Sequence, residues 1–193
     1  VSAKAGEVVE FLAVDFPPYE MANPDGDLRG FDVEVVEAAF ARVGKKAEVR
    51  FLPWKRALKK VTDGEAPALL TCAYRPDREK IFQFSAPISG ASRGYYTRPD
   101  YQGEDLSSYE DSRGKNVGVV LGYVTEIKLK EMGIKYDSSP TDIVALKKLN
   151  DRRINILLVT KESSEYLGRK LIFVSKLRFH MVTRADYYAC FSR

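Results

Sequence analysis

The chain has 193 residues, 45% of them hydrophobic, which is enough for one sizeable core or two small ones. Charged residues make up 30% of it and the formal net charge is +4, with Lys, Arg, Asp and Glu interspersed rather than blocked. That pattern describes a solvated surface and argues against nucleic-acid binding, which needs basic residues clustered on one face. No apolar run approaches the roughly 20 residues that span a bilayer.

The first residues, VSAKAGEVVEF, lack the charged-then-apolar pattern of a signal peptide and suit the mature form of a secreted chain. EVVEFLAV (7–14) is a short valine-rich run that predicts a buried strand. The loop FPPYEMANPDGDLRG follows. There Asn23, Asp25, Asp27 and Glu34 fall at calcium-loop positions, but Leu28 stands where the loop requires glycine, so a turn about Asp25 and Gly26 is the reading. DVEVVEAAFARVG predicts a helix with Val33, Val36, Phe40 and Val43 on one face, Asp32 as its cap and Gly44 at its end. AEVRFL (47–52) alternates as a strand. PWKRALKKVTDG predicts a second helix, with Pro53 in its first position, Trp54, Leu58 and Val61 on one side and a stop at Gly64. PALLTCAY is the third strand, and it runs straight into Arg75, Pro76, Asp77 and Arg78 before FQFS. Strands usually end in small turn residues, so two arginines bracketing a proline there point to a place that receives an anion.

After a polar stretch containing the strand-like GYYT, a similar order recurs. NVGVVLG is a strand, TEIKLKEMG a short helix, IKYDS a strand, TDIVALKKLNDRR a helix showing Ile143, Leu146 and Leu149, and INILLVT (154–160) a strand. KLRFHMVTRADYYACFSR holds two further strand-like stretches. The two series predict two α/β lobes, residues 1–94 with 186–193 and residues 95–185, each with a mainly parallel sheet flanked by helices and joined by two crossovers. Ligands of such sheets bind outside the carboxyl ends of the strands, where Arg75 and Arg78 lie.

Other chemistry finds little support. The single histidine, His180, sits in the apolar setting RFHMV and reads as structural, and no nucleophilic triad can be built on it. No phosphate-binding glycine loop follows the first strand. Cys72 and Cys190 match no metal or redox spacing; they read as buried free thiols, and a disulfide requires their strands to be neighbours.

FPPYEMANPDGDLRGFDVEVVEAAF, PWKRALKKVTDG, TCAYRPDREKIFQFSAPI, GKNVGVVLGY and DRRINILLVT occur in an order and at distances that resemble the bacterial extracellular solute-binding proteins of family 3. The resemblance implies a type II periplasmic-binding-protein fold, two α/β lobes closing like a hinged trap on a small polar carboxylated ligand, periplasmic or extracellular placement, and delivery to the permease of an ABC importer. It implies a monomer with neither cofactor nor catalytic residue. By the same resemblance Arg78 forks onto the ligand carboxylate, bidentate geometry favouring arginine over lysine. Phe16 and Trp54 sandwich the ligand, Thr71 and the backbone of Ala73 face it, and the backbone around Tyr123 and Val124 closes over the carboxylate. Amino-acid binders of the family carry an aspartate where this chain has Thr160, which puts α-amino acid binding in doubt unless Glu162 substitutes. Lys55, Arg56 and Arg75 add positive charge that favours an acidic ligand. The family also continues past the FSR stretch with a helical segment that packs on the first lobe. A sensor domain of a signalling receptor is the alternative. An enzyme such as a dehydratase, using Glu20, Asp32 or Glu162, is a further one.

Overall fold

A computed structural model of the chain describes residues 6–23 and 28–193, so the turn and calcium-loop positions at Asp25 and Asp27 lie outside the described residues. The elements run β1 (Val8–Ala13), α1 (Phe31–Arg42), β2 (Lys46–Phe51), α2 (Trp54–Thr62), β3 (Ala68–Ala73), β4 (Phe82–Phe84) and β5 (Ser89–Thr97). They continue as β6 (Val117–Val120), α3 (Val124–Glu131), β7 (Asp137–Ser139), α4 (Asp142–Asn150), β8 (Ile156–Thr160), α5 (Lys161–Gly168) and β9 (Arg178–Ser192). The chain divides into two compact units, Val1–Gly90 with Asp186–Arg193, and Ala91–Ala185.

In the first unit β1 lies between β2 and β3, parallel to both, and β3 and β4 each pair antiparallel with β9. Alternation along the strands decides which helix covers which face. Phe11, Ala13, Ala68 and Leu70 pack with Val33 and Val36 of α1, whereas Leu12, Leu69 and Cys72 pack with Ala57 and Val61 of α2. Trp54 and Leu58 join the second group, as their helical spacing predicts.

Two details of α1 differ from expectation. Asp32 does not cap it: Gly30 holds the cap position at φ 114°, and the Asp32 side chain turns into the protein. A side chain at residue 30 would press a Cβ to 2.4 Å from the Tyr19 carbonyl oxygen, so only glycine fits this start. Val43 ends the helix 69% exposed and takes no part in its apolar face. Pro53, likewise, is the cap residue of α2 rather than its first helical residue.

The cysteines are joined. β3 and β9 are antiparallel neighbours, Leu69 facing Cys190 and Cys72 facing Tyr188, and the Cys72–Cys190 disulfide closes a chain separation of 118 residues. Free thiols are therefore the wrong reading, because strand adjacency, invisible in the spacing, brings the Cα atoms to 6.0 Å.

In the second unit β8 pairs antiparallel with β5 and parallel with β6, and β7 lies parallel on the far side of β6. The first part of β9 lies along β5, where the Thr97 hydroxyl meets His180 Nε2 at 3.0 Å and holds the lone histidine in a structural role. One sheet face carries Tyr95, Val117, Val119, Ile156 and Leu158 with Leu129 of α3. The other carries Tyr96, Leu157 and Val159 with Ala145, Leu146 and Leu149 of α4. Ile143 stays 38% exposed, and Ala145 takes the inward position. The two strand-like stretches near the carboxyl end are one strand, β9, and α5 has no counterpart in the sequence reading.

Candidate functional site

In the first unit the end of β3 turns directly into a 3-10 turn, Pro76–Arg78. The two arginines of this turn behave differently. Arg75 is exposed and spends its guanidinium on Asp77, at 3.0 and 3.2 Å. Glu79 accepts instead from the Tyr74 hydroxyl, at 2.8 Å. Arg78 is thus left with no carboxylate partner among the described residues; its Nη1 donates to the Ala73 carbonyl at 2.8 Å and its Cζ lies 5.3 Å from the centre of the Trp54 ring. That bond, a weaker contact of the same Nη1 with Cys72 Sγ at 3.8 Å and one aromatic face fix the guanidinium while leaving most of its five donors open. Burial, and the neighbouring Arg75 charge after it, pull the Arg78 pKa down from its usual value, so the site is one where an anion would be welcome.

Trp54 reaches this position because α2 starts on it, and its ring also packs on the α2 side of the core. Phe16 belongs to a different group, stacked on Tyr19 at 5.1 Å and edge-on to Tyr187 at 6.1 Å. The structure therefore gathers Trp54, Ala73 and Arg78 and sets Phe16 in an aromatic cluster. Lys55 and Arg56 are exposed on the first turn of α2.

Thr71 is buried, and its hydroxyl lies 2.9 Å from Glu20 Oε2 and 2.7 Å from Asp32 Oδ2. One hydroxyl hydrogen cannot serve two ionised carboxylates, so one of the two acids must itself donate. Glu20 is that acid. It is fully buried, and desolvation above all pushes its pKa up to about 8, against the bonds from Thr71 and from the Val14 N–H. Burial raises Asp32 as well, opposed by Thr71 and Ser89. Thr71 holds φ 51°, uncommon for a β-branched residue, at an irregularity in the β3–β9 ladder.

In the second unit the carboxyl ends of β6 and β8 run into helices. Gly122, at φ 80°, makes the turn after β6, and its N–H donates to Glu126 at 2.6 Å. Tyr123 then caps α3, and its hydroxyl donates at 2.7 Å to Asp142, a buried carboxylate also held by Ser164 at 2.7 Å. Val124 is 50% exposed. Thr160 is buried at the start of α5 and makes no side-chain capping bond. Glu162 directs both oxygens at the Ser92 N–H, at 3.1 and 3.0 Å, and is thereby committed to the backbone. Asp142, Ser164 and the buried Arg93 were missed in sequence. Arg93 alone left a trace, as a charge inside the otherwise apolar or small run ASRGYYT.

Residues 11–103 match the model of the bacterial extracellular solute-binding proteins, family 3. This stretch, just under half of the chain, is similar to that family. Among curated relatives of the family, the arginine-binding extracellular protein ArtP of Bacillus subtilis is 28% identical over 131 residues, 67% of this chain and 50% of ArtP. The L-cystine-binding protein TcyJ of Escherichia coli is 25% identical over 171 residues, 86% of this chain and 63% of TcyJ. The chain thus spans between half and two thirds of the length of these relatives. A crystal structure of a histidine kinase sensor domain with similarity to periplasmic binding proteins superposes with a TM-score of 0.77 at 19% identity, over 98% of this chain and 84% of that one. That likeness shows the family's type II periplasmic-binding-protein fold.

Proposed function

We propose that this protein is a solute-binding protein that captures a small carboxylated molecule, an amino acid or related organic acid, by hinge closure and presents it to the permease of an ABC importer. The observation that carries the reading is Arg78: a half-buried guanidinium, positioned by the Ala73 carbonyl and the Trp54 ring, with no carboxylate of the described chain to neutralise it. Similarity to the family over residues 11–103 and the binding proteins among the relatives support the same reading. Phe16, Thr71, Tyr123, Val124 and Thr160 are assigned to the ligand by family position, and Thr71 and Tyr123 serve by holding Glu20, Asp32 and Asp142 in place. No turnover is part of this function. Periplasmic or extracellular residence agrees with the disulfide, which persists in oxidising compartments.

The test is calorimetric titration of the purified chain with amino acids and dicarboxylates, repeated on Arg78→Ala. Loss of the carboxylate's partner should cost about 2 kcal/mol or more of binding free energy. Unchanged affinity in the variant removes the clamp. A second reading, the ligand-sensing domain of a signalling receptor, is favoured by the sensor-domain likeness. A membrane-spanning segment on the same polypeptide would decide for it.

A further inference from the structure

Arg93 is the least expected charge in the protein. It lies in β5, 9% exposed, and its Nε is buried without a hydrogen-bond partner. Among the described residues no carboxylate or carbonyl accepts from it. The contrast with Arg98, five residues on, lies in the rest of the guanidinium: Arg98 Nε is also buried without a hydrogen bond, but its Nη1 donates to the Leu149 and Ile154 carbonyls at 2.8 and 2.9 Å and its charge stands 3.4 Å from Asp100. A guanidinium in a residue this buried, with no acceptor in the described chain and an Nε sealed from solvent without a partner, is costly to keep and calls for an anion from outside.

Register tells where that anion would sit. Arg93 is directly opposite Thr160 in the β5–β8 ladder, two residues from the Tyr95–Leu158 pair. Since side chains two apart share a face, Arg93 and Thr160 project on the face that carries Tyr95 and Leu158, at the carboxyl end of β8. Tyr109 packs on that face, and the charge of Arg93 reaches it. Thr125, one helical turn before Leu129 of α3 and so on the same side of that helix, buries a hydroxyl that has no partner. Glu162, whose carboxylate accepts from the adjacent Ser92 N–H, belongs to α5; its neighbour Glu165 accepts from Tyr96, on the opposite face.

The geometry points to an anion-binding position in the second unit, with Arg93 as its charge and Thr160 and Thr125 as hydroxyl donors, that takes a carboxylate of the captured solute and selects acidic solutes over neutral and basic ones. This deepens the binding-protein reading and rests on it for the source of the anion. The Arg93 fork matches a carboxylate bidentately, and the hydroxyls supply donors that an ionised acid accepts.

The experiment titrates the full chain with L-glutamate, L-aspartate and succinate, with the amides L-glutamine and L-asparagine, and with L-arginine, on the wild type, Arg93→Gln, Arg93→Met and Thr160→Val. The expected result is at least about tenfold tighter binding of an acid than of its amide, a preference erased by Arg93→Gln while amide affinity holds. An acid-to-amide ratio that survives in Arg93→Gln, or a wild type that prefers L-arginine, overturns the proposal. A second arm needs no solute. The ligand-free Arg93→Met variant should melt above the wild type, because it removes an unpaired buried charge, and malonate should raise the melting temperature of the wild type only. If malonate stabilises through Arg93 while none of the solutes binds, the anion position stands and the solute-capture reading falls. If Arg93→Met melts well below the wild type and malonate has no effect, Arg93 is a structural residue and the proposal is wrong.

Discussion

Replacing Glu20 by glutamine tests the buried acid pair most directly. The Glu20 carboxyl ordinarily titrates at 4.5 and in the folded chain titrates at about 8, with desolvation as the main cause. Between those values the folded protein holds a proton that the unfolded chain has released, so stability is full below pH 4.5 and falls as pH rises towards 8. The slope for one proton is about 1.4 kcal/mol per pH unit, which accumulates to roughly 5 kcal/mol by the upper end. Glutamine copies the protonated acid: its oxygen can accept from the Val14 N–H and its amide can donate to Thr71, which then gives its own hydrogen to Asp32. Urea unfolding of wild type and Glu20→Gln at half-unit steps from pH 5 to 8.5 should therefore show near-equal stability at pH 5 and a growing advantage for the variant at higher pH. Contributions shared by both chains cancel in the difference. Parallel curves would refute a neutral Glu20 and with it the assignment of the single Thr71 hydrogen.

Removing the disulfide by Cys72→Ser with Cys190→Ser should lower unfolding free energy by on the order of 4 kcal/mol, since the bond closes a separation of 118 residues; a melting scan with and without reductant checks it. Tyr123→Phe deletes the hydroxyl that Asp142 accepts, while Ser164 still supports the carboxylate, so a loss of about 1.5–3 kcal/mol is expected in urea unfolding. A Tyr123→Phe variant as stable as the wild type would show that Ser164 alone satisfies Asp142.

Much of the framework was legible because it rests on local periodicity. Valine-rich runs of strand length, apolar stripes at helical spacing and the glycines at 44 and 64, both at positive φ, mark elements whose ends are set by their own neighbours. The turn after β3 was legible in the same way, from two arginines and a proline where small residues are usual. The errors share one cause. Asp32 fits a cap by sequence, yet Gly30 takes that place, because Tyr19, eleven residues earlier in the same loop, folds back and leaves no space for a Cβ, and Thr71, 39 residues on, draws the carboxylate inwards.

The sequence by itself determined the alternation of strands and helices and the presence of a basic turn at a strand end, since composition and spacing carry both, and its motifs carry the resemblance to the family. Only the tertiary structure decided which charges are free. Whether Arg75 or Arg78 keeps its donors open depends on which of them Asp77 reaches. Whether Cys72 and Cys190 are joined depends on β9 pairing with β3. Whether Glu20 is an anion or an acid depends on burial beside Asp32, twelve residues on in the chain, and on a hydroxyl 51 residues away. The last two turn on partners far along the chain, and pairing over such distances is settled by packing rather than by any property of neighbouring residues.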